Sequence, residues 1–229
     1  MLRKGDLTQG GIITTLLQFT LPMLAGSLLQ QCYNIADTLI VGQCIGANAL
    51  AAVGSAYTLM VFLISILLGL SMGSGTVFSL QYGAGDLSAL RRSIYVSLLL
   101  IGTVTILLNV AVFLWLDPIL RWLQVPYDIY SLMRNYLWII FWGIVFTFLY
   151  NFYAALLRAV GDSVTPLWFL AVSVVLNIGL DLFLILVLDQ GIEGAAVATV
   201  IAQGTAASGI LLYTYKTRPE LRLHREDMC

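Results

Sequence analysis

Six long runs almost free of charge divide this chain, at about 11–41, 49–79, 93–116, 135–157, 167–188 and 194–215. About 20 consecutive apolar residues suffice for a helix to cross a bilayer, and each run reaches that length. Only 10% of the 229 residues are charged and 60% are hydrophobic, whereas a soluble domain carries about 25% charged residues. The expectation is an all-α integral membrane protein built as a six-transmembrane-helix bundle. Residues 1–215 would form this lobe and 216–229 a basic cytoplasmic tail.

The connections between the runs set the orientation. The ends and even-numbered connections hold Arg3, Lys4, Arg91, Arg92, Arg158, Lys216, Arg218, Arg222 and Arg225, against Arg121 and Arg134 in the odd ones. Basic residues collect on the cytoplasmic side, so both termini are expected there, in a multi-pass protein of the plasma membrane. Arg3 and Lys4 precede an apolar run with small residues at Ala25-Gly26-Ser27, as in a secretory leader. The run continues to Val41, too long for a leader's apolar region, and the first segment is expected to be retained.

Several function classes lose support. A net charge of −1 says nothing about nucleic acid, and no nucleic-acid partner is expected. Cys32, Cys44 and Cys229 have no metal-ligand spacing, and their odd number builds no disulfide framework. The lone His224 lies in the tail. No catalytic residue and no cofactor are expected.

Two carboxylates stand out. Of twelve acidic residues, only Asp37 and Asp181 fall inside the apolar runs. An ionisable group in hydrocarbon costs at least ~2.5–3.5 kcal/mol by insertion scales, and it usually faces a bundle interior or a wet cavity with a function. Runs one and five both travel from inside to outside. Counting back from their outer ends at ~1.5 Å per residue places both aspartates roughly 8–12 Å below the outer boundary. Helical spacing sets Tyr33, Asn34 and Gln30 beside Asp37, and Asn177 beside Asp181. Thr199 reaches a similar depth in run six, with Gln203 one turn deeper. In run four only Asn151 stands out, nearer the inner end.

Other features concern shape. Pro22, inside the first run, removes a backbone donor and should bend that helix. Gly69, Gly73 and Gly75 should allow close helix approach. Asp117-Pro118 should end the third run, with Arg121, Asp128 and Arg134 in the loop that follows. Asp86 and Asp162 sit where turn or helix-capping residues belong. An offset of 144 aligns Asp37 with Asp181 and Ala51-Ala52-Val53 with Ala195-Ala196-Val197, and Gly85-Asp86 has its match in Gly161-Asp162. Repeated helix groups around a midmembrane site are the build of secondary transporters.

The chain resembles the multidrug and toxic compound extrusion (MATE) transporters. The resemblance rests on Leu7-Thr8-Gln9-Gly10, Pro22, Tyr33-Asn34-Ile35-Ala36-Asp37, Val41-Gly42 and Gly83-Ala84-Gly85-Asp86. It continues through Leu157-Arg158-Ala159-Val160-Gly161-Asp162, Thr165-Pro166, Asn177, Asp181 and Gly191-Ile192-Glu193-Gly194-Ala195-Ala196. It implies an N-terminal six-helix lobe of a two-lobe protein. It also implies an ion site at Asp37, Asn177, Asp181 and Thr199, and a hinge at Pro22. Gln30, Tyr33, Asn34 and Gln203 would line the cavity. The implied activity is antiport, in which inward H⁺ or Na⁺ drives export of cationic or amphipathic compounds. Membrane lipid, such substrates and a second six-helix lobe or another copy are the expected partners.

Other classes share parts of this pattern. A non-transporting half-subunit or scaffold, or a flippase for lipid-linked substrates, would share the architecture. An intramembrane aspartyl protease also pairs two aspartates, but it needs adjacent Tyr-Asp and Gly-x-Gly-Asp. Tyr33 is four residues from Asp37, and Ile178-Gly179-Leu180-Asp181 lacks the second motif.

Overall fold

The computed structural model describes residues 12–222. The leading polar segment with Arg3 and Lys4, the Leu7–Gly10 motif, and the tail residues His224, Arg225 and Cys229 lie outside the described residues. Six long helices follow one another: α1 (Ile12–Cys44), α2 (Ala47–Gly83), α3 (Leu87–Trp122), α4 (Tyr127–Ala159), α5 (Val164–Leu182) and α6 (Gly191–Thr217). A π-helical turn, Phe183–Val187, prolongs α5, and a 3₁₀ turn, Pro219–Leu221, follows α6. No strand is present among the described residues. Five of the helices, α2 to α6, are long and apolar enough to cross a membrane, α5 being counted through its π turn to Val187.

Helix α4 is the hub, packing against α2, α3 and α6, while α5 and α2 flank α1. The core along α4 is aromatic and aliphatic. Phe78 meets Phe152 edge-on at 5.9 Å between ring centroids, and Leu67, Leu90, Met133, Leu137, Phe141 and Leu156 are fully enclosed. The perimeter is equally apolar, with Leu16, Leu28, Phe62, Leu107, Leu114, Trp168 and Val175 pointing outward. Water would penalise such a surface and hydrocarbon would not.

The turns at one end of the bundle repeat. Gly85 and Gly161 both take left-handed backbone, with φ of 75° and 85°. In each turn the following aspartate N–H reaches back five residues, Asp86 to Gln81 and Asp162 to Leu157. This is the Schellman ending of a helix. Each aspartate then starts the next helix: Asp86 Oδ1 accepts from Ala89 N at 2.9 Å, and Asp162 Oδ1 from Thr165 N at 3.1 Å.

Three sequence expectations are corrected. Asp117-Pro118 does not end α3, which continues to Trp122. The strain shows instead as a kink at Trp115, with φ −111° and ψ 15°. A proline ring collides with the carbonyl four residues back and removes one helical donor, so the helix bends just upstream and carries on. Asp128 and Arg134 accordingly lie in α4, not in a loop. Of the three glycines expected to bring helices together, Gly75 alone does so, against Ala155. A Cβ at Gly69 or Gly73 would meet nothing within 4 Å.

Candidate functional site

Asp37 and Asp181 reach each other from α1 and α5. Their carboxyl groups lie close enough to act directly on each other. Both are buried, Asp37 at 8% exposure and Asp181 at 0%. One oxygen of each, Oδ1, is enclosed with no hydrogen-bond partner. A buried acceptor without a donor is costly, so these two atoms present an unmet demand for positive charge at one place.

The neighbouring groups are polar and converge. Fully buried Asn177 lies one turn before Asp181. With its amide in one orientation, Nδ2 donates to Thr199 Oγ1 at 3.3 Å. Turned over, the amide donates to Asp181 Oδ2 at 2.9 Å and accepts from Thr199 N at 3.2 Å, which satisfies both of its ends. The Tyr33 hydroxyl donates to Thr199 Oγ1 at 3.3 Å. Four residues expected at the ion site, Asp37, Asn177, Asp181 and Thr199, thus form one cluster joined to Tyr33, drawn from α1, α5 and α6. Carboxylate, amide and hydroxyl oxygens suit a proton or a hard monovalent cation. Among the described residues no group of three or more His, Cys, Asp and Glu gathers as a metal site would require.

The remaining expected residues stand apart from this cluster. Asn34 is half-buried and donates to Gln31 Oε1 at 3.1 Å, and Gln30 is exposed. Gln203 accepts from Thr147 Oγ1 at 2.8 Å, in the α4–α6 seam. Asn151 donates to the Thr147 carbonyl at 2.8 Å. Pro22 is half-buried, and α1 stays helical through it from Ile12 to Cys44.

Two features escaped sequence reasoning. Tyr136 of α4 is 3% exposed and lies within electrostatic reach of Asp37, Asp181 and Tyr33. Its one sequence signal is that a buried phenol needs a polar neighbour. The second is a stripe along α1, Ser27–Gln31–Asn34–Thr38, at helical spacing. Ser27, Gln31 and Thr38 are exposed. Ser27 and Thr38 turn their hydroxyls onto their own helix, at Met23 O and Asn34 O.

Comparison with known proteins agrees with this architecture. Residues 22–183 match the MatE family. The chain is 37% identical over 211 residues to the probable multidrug resistance protein YpnP of Bacillus subtilis (strain 168), covering 92% of this chain and 47% of that protein. It is 31% identical over 213 residues to the multidrug export protein MepA of Staphylococcus aureus (strain NCTC 8325 / PS 47), covering 90% and 46%. The fold superposes on the crystal structure of the Vibrio cholerae MATE transporter VcmN in the bent form with a TM-score of 0.85 and 28% identity, covering 93% and 48%. A MATE structure in the straight conformation gives a TM-score of 0.88 at 24% identity, covering 96% and 49%. The chain spans about half the length of the relatives it matches. By the family match over most of its length and by its relatives, this chain belongs to the MatE family.

Proposed function

We propose that this chain is the N-terminal lobe of a cation-coupled antiporter that exports cationic or amphipathic compounds, including drugs, in exchange for inward H⁺ or Na⁺. It is a secondary transporter rather than an enzyme. The observation that carries this reading is the buried, neighbouring Asp37–Asp181 pair, with one oxygen of each left without a partner. Two neighbouring carboxylates this buried cannot both hold charge without opposition from repulsion and desolvation. An entering proton or Na⁺ relieves that opposition, and its departure restores it. The site is therefore suited to load and release a small cation.

Helix α1 carries both Asp37 and the polar stripe Ser27–Gln31–Asn34–Thr38. Loading Asp37 at one level of α1 would change that helix's hold on α5 and α6. Pro22, with its missing donor, is where the change in bend would be taken up. Polar groups at membrane depth avoid lipid, so the stripe with Gln30, Tyr33 and Gln203 would line the path of the exported compound. The opposite wall would come from a second six-helix lobe or another copy. The six runs read from the sequence would be the membrane spans, with both chain ends at the cytoplasmic face of the plasma membrane.

The experiment places the purified chain in liposomes under an imposed pH or Na⁺ gradient, alone and then joined to a second lobe from a relative. The expected result is cation binding by the chain alone and gradient-driven dye movement only for the two-lobe form. Gradient-driven movement by a demonstrated monomer would refute the one-lobe assignment.

A further inference from the structure

Away from the carboxylate pair, α2 and α3 part to leave an open cavity of about 500 Å³. Gly69, Leu70, Gly73, Ser74 and Val77 form one wall, and Arg92, Ser93, Val96 and Ser97 the other. Three properties bear on its occupant. Gly69 and Gly73 carry no side chain and leave open space on the α2 wall where one would stand. Between Val77 and Gly69 it runs about 12 Å along the helix axis, from a rise of ~1.5 Å per residue. Its shallow end, toward the α2–α3 turn, carries the exposed Arg92 guanidinium and the Ser93 hydroxyl, the latter oriented by Gln81 Nε2 at 2.8 Å.

The surroundings argue for lipid. Beyond the groove, α3 presents Leu100, Leu107 and Leu114 at 56%, 64% and 73% exposure, an apolar stripe of the kind that faces hydrocarbon. Helix α3 packs on α2 and α4, whereas the polar stripe lies on α1, which packs chiefly on α5 and α2. The groove is thus on a different flank from the surface assigned above to the second lobe. A basic side chain one to two turns inside a helix end sits at headgroup level, and such residues attract anionic lipid.

We infer that the α2–α3 groove binds an anionic phospholipid, its phosphate held by Arg92 and Ser93 and an acyl chain lying against Gly69 and Gly73. A guanidinium matches a phosphate with paired donors, and the glycine wall admits a chain that any larger side chain would displace.

The test is native mass spectrometry of the purified full chain in detergent, with phosphatidylglycerol as probe. Phosphatidylcholine of the same acyl chains and inorganic phosphate serve as comparisons. The expected result is one retained phosphatidylglycerol per chain, with phosphatidylcholine held about fivefold less well, the contribution of one basic contact near a membrane surface. Arg92→Ala should bring phosphatidylglycerol down to the phosphatidylcholine level, and Arg92→Lys should recover part of the preference. Gly73→Leu should weaken both lipids. Gly69→Leu should do the same, so that a folding defect in one variant does not decide the outcome. Thermal melting in phosphatidylcholine micelles identifies such a defect. Unchanged phosphatidylglycerol retention in Arg92→Ala and in the folded glycine variants would overturn the proposal. So would full competition by inorganic phosphate, which marks a free-anion site. Loss of a chain dimer in Gly73→Leu, in lipid-free micelles, would assign the groove to a second copy and overturn it equally.

Discussion

The Tyr33 hydroxyl donates to Thr199 Oγ1 at 3.3 Å, tying α1 to α6 across 166 residues of chain and bordering the paired carboxyls. Thr199 is also within bonding distance of Asn177 on α5. One small hydroxyl therefore ties together the three helices that build the site.

Tyr33→Phe should lower stability by about 0.5–1.5 kcal/mol, the usual net value of one hydrogen bond. Thr199→Val should cost at least as much, because it also removes a partner of Asn177. The two losses should not add in the double variant, since they share a bond. Thermal melting of the three variants in one detergent measures this, and strictly additive shifts would contradict the link.

Asp37→Asn and Asp181→Asn should each leave the protein folded, because each removes a buried charge rather than adding one. In the two-lobe context, gradient-driven efflux should fall by about 10-fold or more, since even outer partners of an ion site are worth about 10–100-fold. Efflux assays beside size-exclusion profiles check both halves. Wild-type efflux in both variants would remove the ion-site reading.

Gly209 faces Phe169 so closely that a Cβ would stand 2.7 Å from its ring. The ring is itself held edge-on against Tyr213, with 6.0 Å between centroids. Gly209→Ala should therefore destabilise the α5–α6 seam by about 1–3 kcal/mol, as overpacking does. Adding Phe169→Leu should return part of that loss. Melting temperatures of the single and double variants provide the measurement.

Asp86 gives a pH dependence outside the membrane. The Ala89 N–H, then the Ser88 hydroxyl, hold its carboxyl below the usual carboxylate range. A depressed carboxylate stabilises the folded state above its ordinary pKa, and the contribution disappears as pH falls through the folded value. Exchange protection at the start of α3, corrected for intrinsic rate, should therefore decrease on acidification. Asp86→Ser should keep a cap and lose this dependence. Protection that is flat with pH in the unsubstituted protein would refute it.

Orientation is tested by labelling. With Cys32, Cys44 and Cys229 replaced by serine, Ser88→Cys should react only from the cytoplasmic side and Gln190→Cys only from outside. The opposite pattern would reverse the assignment drawn from the basic residues.

Sequence reasoning anticipated helices and missed how they end. Charge-free runs report where hydrocarbon is tolerated, but helices continue through charged residues, as α3 does past Asp117 and α4 does upstream of Arg134. Outside the spans, Asp117 and Arg134 pair at 2.8 Å, which lets both remain helical at the bundle's end. Counting residues from turns was enough to set Asp37 and Asp181 at one depth, because helical rise is nearly constant. It could not find Tyr136, since a tyrosine in an apolar run looks the same whether it faces lipid or a carboxylate. Nor could it separate Gly75 from Gly69 and Gly73. A glycine permits close approach without dictating which neighbour arrives.

The π turn at Phe183–Val187 follows Asp181 almost directly, and beneath it Gly194 brings α6 so close that a Cβ would lie 3.2 Å from Leu184 Cβ. A π turn holds one residue more than an α-helical turn, so this junction contains slack. Deleting a residue there would let the backbone close as ordinary helix, with Asp181 left in place on α5. Inserting one between Asn177 and Asp181 would swing the carboxylate by about 100° around α5 and away from Asp37. Drift in chain length is thus absorbed just past the Asp181 carboxylate and transmitted if it occurs just before.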